Sequence, residues 1–135
     1  LFTTPVLDEP MHISGEPSIT IRVAADQPAV NLSVLLVSLP WVEGRRSSRG
    51  GVVTRSWADP QNATSLTEST PLTPGEFVDL TFPLQPDDQI IAAGQQLGLV
   101  IFSSDRDYTL WPDPGTVLTV DLDATSLTLP IVSGN

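Results

Sequence analysis

Short runs in which apolar and polar residues alternate, separated by glycine and proline, constrain the fold of this chain more than any other feature. Residues 18–24 are typical, with Ile19, Ile21 and Val23 on one face of an extended chain and Thr20 and Arg22 on the other. Because successive side chains of a strand point to opposite faces, this pattern predicts a half-buried strand. No window has apolar residues at helical spacing over three turns, so we expect helix only in short turns, near residues 64–69. The pattern predicts an all-β fold.

Eight segments are predicted to be strands: residues 11–14, 18–24, 31–39, 52–58, 76–84, 96–103, 117–123 and 126–132. Residues 31–39 carry apolar side chains on both faces, which indicates a central or covered strand. Pro83 lies near the end of its segment and indicates an edge strand, while Gly98 indicates a close backbone approach or a bulge. Two sheets packed as a sandwich, arranged as a jelly roll, form the simplest architecture for these strands.

Size and charge narrow the classes of function. The 135 residues suit one domain, and the net charge of −10 comes from 16 acidic residues against six arginines, with no lysine. Such a charge repels nucleic acid and anionic membranes. There is no cysteine, and no apolar run approaches the roughly 20 residues that span a bilayer.

The chain opens with LFTTPVLDEP rather than a methionine and a leader, so we interpret it as an excised domain. Its acidic composition without lysine or cysteine favours an exported parent protein.

The residues offer no recognisable catalytic site. A serine hydrolase needs a nucleophile elbow, usually G-x-S-x-G, beside a histidine, and the chain has no such motif. Its single histidine, His12, lies in a predicted strand. We therefore predict no catalytic residue, no metal ligand set and no cofactor. The numerous carboxylates allow two other kinds of site, a structural calcium ion or a pair of glycosidase carboxylates. However, the acidic residues occur singly or in pairs, many of them in turns, where an aspartate side chain bonds its own backbone.

The aromatic side chains have two interpretations. They could form a platform that stacks on a sugar or a peptide, built from Trp41, Trp57, Tyr108 and Trp111. Alternatively, these rings cover the ends of the sandwich or contact a neighbouring domain, which is the interpretation we favour. A separate basic cluster is predicted to keep loop 44–51 solvated, and it consists of Arg45, Arg46 and Arg49.

Four long segments carry a family resemblance: VVTRSWADPQN (52–62), LTPGEFVDLTFPLQPDDQ (72–89), AAGQQLGLVIFSSDRDYTLWP (92–112) and PDPGTVLTVDLDATSLTLP (112–130). In this order they closely resemble the C-terminal β-domain of bacterial Xaa-Pro dipeptidyl-peptidases of the actinobacterial type. The same domain type forms the C-terminal part of cocaine esterase and of the α-amino-acid ester hydrolases. The resemblance implies a single jelly-roll domain of the galactose-binding-like class over residues 1–135. Where members often carry basic or aromatic residues, this chain has Ala63, Gln95 and Gln96.

The same resemblance implies a function. In that family the catalytic serine, aspartate and histidine lie in a separate α/β-hydrolase domain, and none of them has a counterpart here. The chain would be the non-catalytic accessory domain of a serine exopeptidase that releases Xaa-Pro dipeptides from peptide N-termini. Its partner would be the catalytic domain of the same parent chain, which it would brace and whose active-site entrance it would border, and the parent could form a homo-oligomer. Two alternatives stay open: an autonomous carbohydrate-binding jelly roll, and the same accessory domain from an ester or acyl hydrolase.

Two loop segments, residues 57–62 and 108–114, are predicted to contact the catalytic domain. They hold two of the three tryptophans, lie at strand ends and are stiffened by proline. The predicted contact residues are Trp57, Asp59, Asn62, Tyr108 and Trp111. We expect Trp57 or Trp111 to be partly exposed. Strand alternation predicts instead that a different set faces the core, namely Leu118, Val120 and Leu122.

Overall fold

The protein is built from short strands. The computed structural model describes residues 1–43 and 50–132, which form nine strands and a 3-10 helix at Pro60–Asn62. The strands are β1 (Phe2–Thr3), β2 (Met11–Gly15), β3 (Ser18–Ala25), β4 (Leu32–Leu39), β5 (Val52–Ala58), β6 (Val78–Pro83), β7 (Asp87–Ile91), β8 (Gln96–Phe102) and β9 (Leu118–Thr128). The described ranges contain no α-helix, so the all-β prediction is confirmed.

All strand pairs are antiparallel and form three hydrogen-bonded sheets. The largest has the order β1-β8-β4-β5, the second β6-β3-β9, and the third consists of β2 and β7. After β9 the chain reaches β2 through a bridge between Ile131 and Ile13, which links the two smaller sheets. Strand β4 lies between two neighbours and is buried on both faces, as its apolar pattern predicts. Strand β6 is an edge strand, as Pro83 predicts.

Side chains from the three sheets meet in one hydrophobic core. The buried cluster takes residues from the larger sheet and from both smaller ones, and it comprises Ile13, Ile19, Ile21, Val23, Leu32, Val34, Leu36, Val53, Leu80, Leu84, Ile91 and Leu97. This arrangement is that of a β-sandwich, in which the inner faces of two layers interdigitate. The jelly-roll topology of the galactose-binding-like class stays a prediction. Among the described residues, no helix is long and apolar enough to cross a membrane.

Strand β9 corrects two predictions about the end of the chain. Residues 117–123 and 126–132 were expected as separate strands, but β9 runs continuously from Leu118 to Thr128. Its register against β3 shifts, because Arg22 pairs with Asp121 whereas Thr20 pairs with Ser126. The inward-facing positions therefore change from even numbers before the irregularity to odd numbers after it. Leu118 and Val120 pack on the core as predicted, but the prediction for Leu122 is wrong, since this residue lies in the irregularity and is 55% exposed.

Other differences concern short elements. The expected helical turn at residues 64–69 is absent, and the 3-10 helix lies earlier because Asp59 caps it and proline occupies its first turn. Strands β1 and β7 carry little alternation of their own and are held by pairing with β8 and β2. Gly98 allows a close approach, as predicted, because a Cβ there would lie 2.9 Å from Val37 Cγ2 and 3.0 Å from Leu1 Cδ1. The Arg45, Arg46 and Arg49 cluster lies outside the described residues.

Candidate functional site

Three connections, residues 26–31, 59–77 and 103–117, gather at one end of the sandwich. Together with residues 55–58 at the end of β5, they form what we call the loop end. Pairing of Leu32 with Ala58 and of Ser33 with Phe102 places the ends of β5 and β8 beside the start of β4. Backbone hydrogen bonds tie the connections together, from the Leu72 N–H to the Pro28 carbonyl at 2.9 Å and from the Asp26 N–H to the Val117 carbonyl at 3.2 Å. Both segments predicted to contact a partner domain therefore belong to the same end of the molecule.

Trp57 is at the centre of the loop end. Its half-buried indole donates Nε1–H to Asp105 Oδ2 at 3.1 Å, and its ring centroid lies 5.3 Å from that of Tyr108, with 38° between the planes. Arg55 precedes Trp57 by two residues and so shares its face of β5. The Arg55 guanidinium carbon lies 4.9 Å from the Tyr108 ring centroid and 6.0 Å from that of Trp57. The end of β5 and the connection 103–117 thus meet through aromatic and cation–π contacts.

Asp105 fixes the conformation of the loop that carries Tyr108. This residue is 9% exposed, and its backbone carbonyl accepts hydrogen bonds from the N–H groups of Tyr108 at 3.2 Å and Thr109 at 2.9 Å. The Thr109 hydroxyl also donates to that carbonyl, at 3.1 Å. The backbone of Asp105 therefore closes a tight turn while its carboxylate is bonded to β5 through Trp57. The turn presents Tyr108 outward, with 60% of the residue exposed.

Trp111 lies further along the same loop and is 50% exposed, in agreement with expectation. The guanidinium carbon of Arg106 lies 3.8 Å from its ring centroid. The Asn31 amide donates to the Leu110 carbonyl at 3.0 Å, which holds the backbone just before Trp111. A depression of about 340 Å³ opens beside the two stacked side chains and is also lined by Ser103, Ser104 and Asp113. The ring thus has one face on a cation and borders an open depression.

Asp59 and Asn62 shape the loop that follows β5. The Asp59 carboxylate accepts from the backbone N–H of Gln61 at 2.9 Å and from its side-chain amide at 3.1 Å. The Asn62 amide donates to the Ser65 carbonyl at 2.9 Å. These groups satisfy local backbone polarity, so the structure gives them a positioning role within the chain. Their contact with a partner domain stays a prediction.

The structure brings Trp57 and Tyr108 into contact and places Trp111 in the same loop as Tyr108, but it does not unite all four candidate aromatics. Trp41 follows β4 at the end opposite Leu32, and the eight-residue strand that separates them spans roughly 25 Å. Sequence reasoning missed Arg55, Asp105 and Arg106 as parts of this site. The spacing of Arg55 and Trp57 was a usable signal, because residues two apart share a strand face.

The single histidine of the chain lies on β2. His12 Nε2 contacts Asp88 Oδ1 across the β2–β7 pair, in a partly exposed position. In the ranges 1–43 and 50–132, no group of three or more histidine, aspartate or glutamate side chains is arranged to hold a metal ion. The loop end holds rings and guanidinium groups close together, and its contact with a partner domain stays a prediction.

Comparison with known families decides what kind of domain this is. The family model described as the X-Pro dipeptidyl-peptidase C-terminal non-catalytic domain matches residues 1–133. The chain belongs to this family. It is 59% identical over 135 residues to a protein of Rhodopirellula baltica named "Putative Xaa-Pro dipeptidyl-peptidase", and the match covers 99% of this chain and 22% of that protein. It is 30% identical to the Xaa-Pro dipeptidyl-peptidase of Lactobacillus delbrueckii subsp. lactis, with 89% of this chain and 19% of that one covered.

Solved structures support the fold assignment. An α-amino acid ester hydrolase superposes with a TM-score of 0.77 at 20% identity, covering 97% of this chain and 25% of the hydrolase. A CocE/NonD family hydrolase from Staphylococcus aureus gives a TM-score of 0.71 at 16% identity, over 98% of this chain and 30% of that one. The chain thus spans about a fifth of its sequence relatives and is an accessory domain. Its assignment to the actinobacterial branch stays a prediction.

Proposed function

We propose that this chain is the accessory domain of a serine exopeptidase that removes Xaa-Pro dipeptides from peptide N-termini. The observation that carries the proposal is the family match over residues 1–133, together with relatives of that name in which the domain fills about a fifth of the chain. The parent enzyme, meaning the longer chain that contains this domain, would hold its catalytic serine, aspartate and histidine in an α/β-hydrolase domain. The domain described here would brace that partner and border its active-site entrance.

The loop end is the face proposed to contact the catalytic domain, through Trp57, Asp59, Asn62, Tyr108 and Trp111. Interdomain contacts commonly bury roughly 600–1,500 Å², which requires apolar side chains held outside the domain's own core. The loop end carries several such residues, and they are Leu66, Phe77, Tyr108, Leu110, Trp111 and Val117. The hydrogen bonds around Asp105 and Asp59 fix the loops in advance, which lowers the entropic cost of docking.

A second parent chemistry is ester or acyl hydrolysis, supported by the superposition on an α-amino acid ester hydrolase. The two parents would share this domain and its docking role, so the distinction lies in the catalytic domain. The sequence relatives favour the peptidase, because they include a Xaa-Pro dipeptidyl-peptidase at 30% identity, whereas the ester hydrolase matches at 20%. A substrate panel on the parent enzyme separates them.

The proposal that this domain is non-catalytic and belongs to a peptidase is tested by assaying the parent enzyme and the isolated chain side by side. Each is given alanyl-prolyl and glycyl-prolyl chromogenic amides and an α-amino-acid ester. We expect the parent to release product fastest from the prolyl amides and the isolated chain to release none. Ester turnover without amide turnover by the parent would select the alternative parent. Turnover by the isolated chain that is lost in His12→Ala would overturn the non-catalytic assignment.

A further inference from the structure

Two arginines of the loop end lack a carboxylate partner. The described ranges contain Arg22, Arg55 and Arg106, and only Arg22 forms ion pairs, with Asp79 at 3.1 Å and Asp121 at 3.5 Å. Arg55 and Arg106 approach no carboxylate of the described residues within 4 Å, although the chain carries 16 acidic residues. Unpaired guanidinium groups in so acidic a domain call for a physical explanation.

Aromatic rings hold both guanidinium groups in place. Arg106 lies 3.8 Å above Trp111, and Arg55 lies 4.9 Å above Tyr108. A guanidinium over a ring uses its flat face and leaves its N–H edges for planar acceptors. The carboxylate of Asp105 is buried and accepts from the indole of Trp57. Asp107 and Asp113 are exposed in the same loop, yet neither reaches the guanidinium groups.

We propose that Arg55 and Arg106 bind carboxylates on the surface of the catalytic domain. This inference rests on the proposed function and gives the docking partner its chemistry: acidic side chains placed to meet two pre-oriented guanidinium groups. Arginine and carboxylate pair in a bidentate, planar geometry that specifies orientation as well as attraction. The depression beside Arg106 and Trp111 provides room for an inserted aspartate or glutamate side chain.

The net charge limits the orientations in which such pairs can form. A domain of charge −10 repels an acidic partner surface over most orientations. Orientations that bring partner carboxylates onto Arg55 and Arg106 reduce this repulsion, so the pairs determine the orientation in which the two domains dock. Apolar contacts of Trp57, Tyr108 and Trp111 would then supply the buried area. The arginines supply specificity and a dependence on salt.

The test measures amide hydrogen exchange of residues 103–117 in the parent enzyme and in the isolated chain. Each is measured at a low and a high NaCl concentration, on the order of 50 mM and 500 mM, which lie on either side of the ionic strength at which the Debye length is about 10 Å. In the wild type we expect slower exchange in the parent, because docking protects the loop.

Arg106→Gln should speed exchange in the parent about tenfold and leave the isolated chain nearly unchanged, since removing one partner of a docked charge pair is costly. Arg55→Gln should act in the same direction. Arg106→Lys should give an intermediate effect, because it keeps the charge and loses the planar fork.

Arg22→Gln is the control, because its carboxylate partners lie within this domain and the ring it contacts, Phe77 at 5.3 Å, lies outside the measured residues 103–117. It should change exchange equally in the parent and in the isolated chain. The difference made by Arg106→Gln should shrink at 500 mM NaCl, because salt screens partly exposed ion pairs. An Arg106→Gln effect that is absent, or unchanged by salt, would overturn the carboxylate assignment.

Further outcomes separate this inference from the function on which it rests. If Trp111→Ala removes the protection while Arg106→Gln does not, docking is apolar and the proposed function stands. If the parent and the isolated chain exchange equally in the wild type, the loop end is not docked, and both proposals fall. If the isolated chain sediments as a dimer that Arg106→Gln dissociates, the occupant is a second copy of the domain and the inference is wrong.

Discussion

At the scale of single residues, one carboxylate determines the geometry of the candidate contact surface. Asp105 is bonded through its side chain to Trp57 on β5 and through its carbonyl to the turn that presents Tyr108. The Trp57–Tyr108 contact is therefore supported by a residue that is bonded both to β5 and to the turn that carries Tyr108. Because buried donors are costly to leave unpaired, removing this carboxylate should affect stability as well as surface shape.

Asp105→Ala should lower the free energy of unfolding of the isolated chain by about 1–3 kcal/mol, because the half-buried Trp57 indole loses its acceptor. Asp105→Asn keeps an acceptor oxygen and should cost less. Urea unfolding followed by tryptophan fluorescence measures both. Asp107→Ala is the control, since it removes an exposed carboxylate from the same loop and should change stability by less than about 0.5 kcal/mol. Equal losses for Asp105→Ala and Asp107→Ala would contradict this account of the loop.

The sequence predicted some of these residues and not others for a physical reason. Tyr108 and Trp111 stood out as large aromatic side chains in a proline-rich loop, and Trp57 stood out because it lies at the end of a strand beside Asp59 and Pro60. Asp105 did not stand out, since its partner Trp57 is 48 residues away and the bond exists only in the folded chain. Many aspartates in turns bond their own backbone, so nothing in the local pattern separates Asp105 from them.

At the scale of elements, strand β9 shows where alternation stops being a reliable guide. Two runs of opposite phase predicted two strands, whereas the structure joins them through an irregularity opposite β3. Side-chain to backbone bonds stabilise it: the Thr125 hydroxyl donates to the Asp121 carbonyl at 2.7 Å and accepts from the Arg22 N–H at 3.4 Å. A phase change within an alternating run is thus compatible with one continuous strand.

Thr125→Val should destabilise the isolated chain by about 1 kcal/mol, because an isosteric methyl group cannot replace the two hydrogen bonds of the hydroxyl. Thr119→Val on the same strand is the matched control. Thr119 is exposed and its hydroxyl makes no such bond among the described residues, so its replacement should be nearly neutral. Urea midpoints of the two variants give the comparison. A loss for Thr119→Val as large as that for Thr125→Val would show that the irregularity is not held by these bonds.

The strands that the sequence predicted are those with a strong apolar face of their own. Strand β4 was recognisable because both of its faces are buried, and Pro83 correctly marked the edge strand β6. Strand β7 opens with Asp87 and Asp88, which favour turns, and it is held by pairing with β2. Strand β1 has only two residues and depends on β8. Such elements are fixed by tertiary pairing, which a local pattern does not encode.

At the scale of the whole molecule, the buried core and the exposed side chains of the loop end are distinct sets of residues. The core is formed by inward-facing strand residues from the three sheets, and it leaves Trp111 half exposed. The loop end has fixed backbone geometry and several exposed apolar side chains, which are the properties expected of a surface that docks on a larger partner. Removing an exposed ring should therefore matter little to the domain and greatly to the docked assembly.

The most direct test of docking through the loop end is Trp111→Ala in two contexts. In the isolated chain we predict a loss of unfolding free energy of about 1 kcal/mol, because the ring is half exposed and its removal also ends the contact with Arg106. In the parent enzyme we predict that the half-life of activity at a fixed elevated temperature falls about tenfold or more, as for a central interface tryptophan. A loss of several kcal/mol in the isolated chain, with an unchanged half-life in the parent, would show that Trp111 packs a corner of the sandwich and does not dock a partner domain.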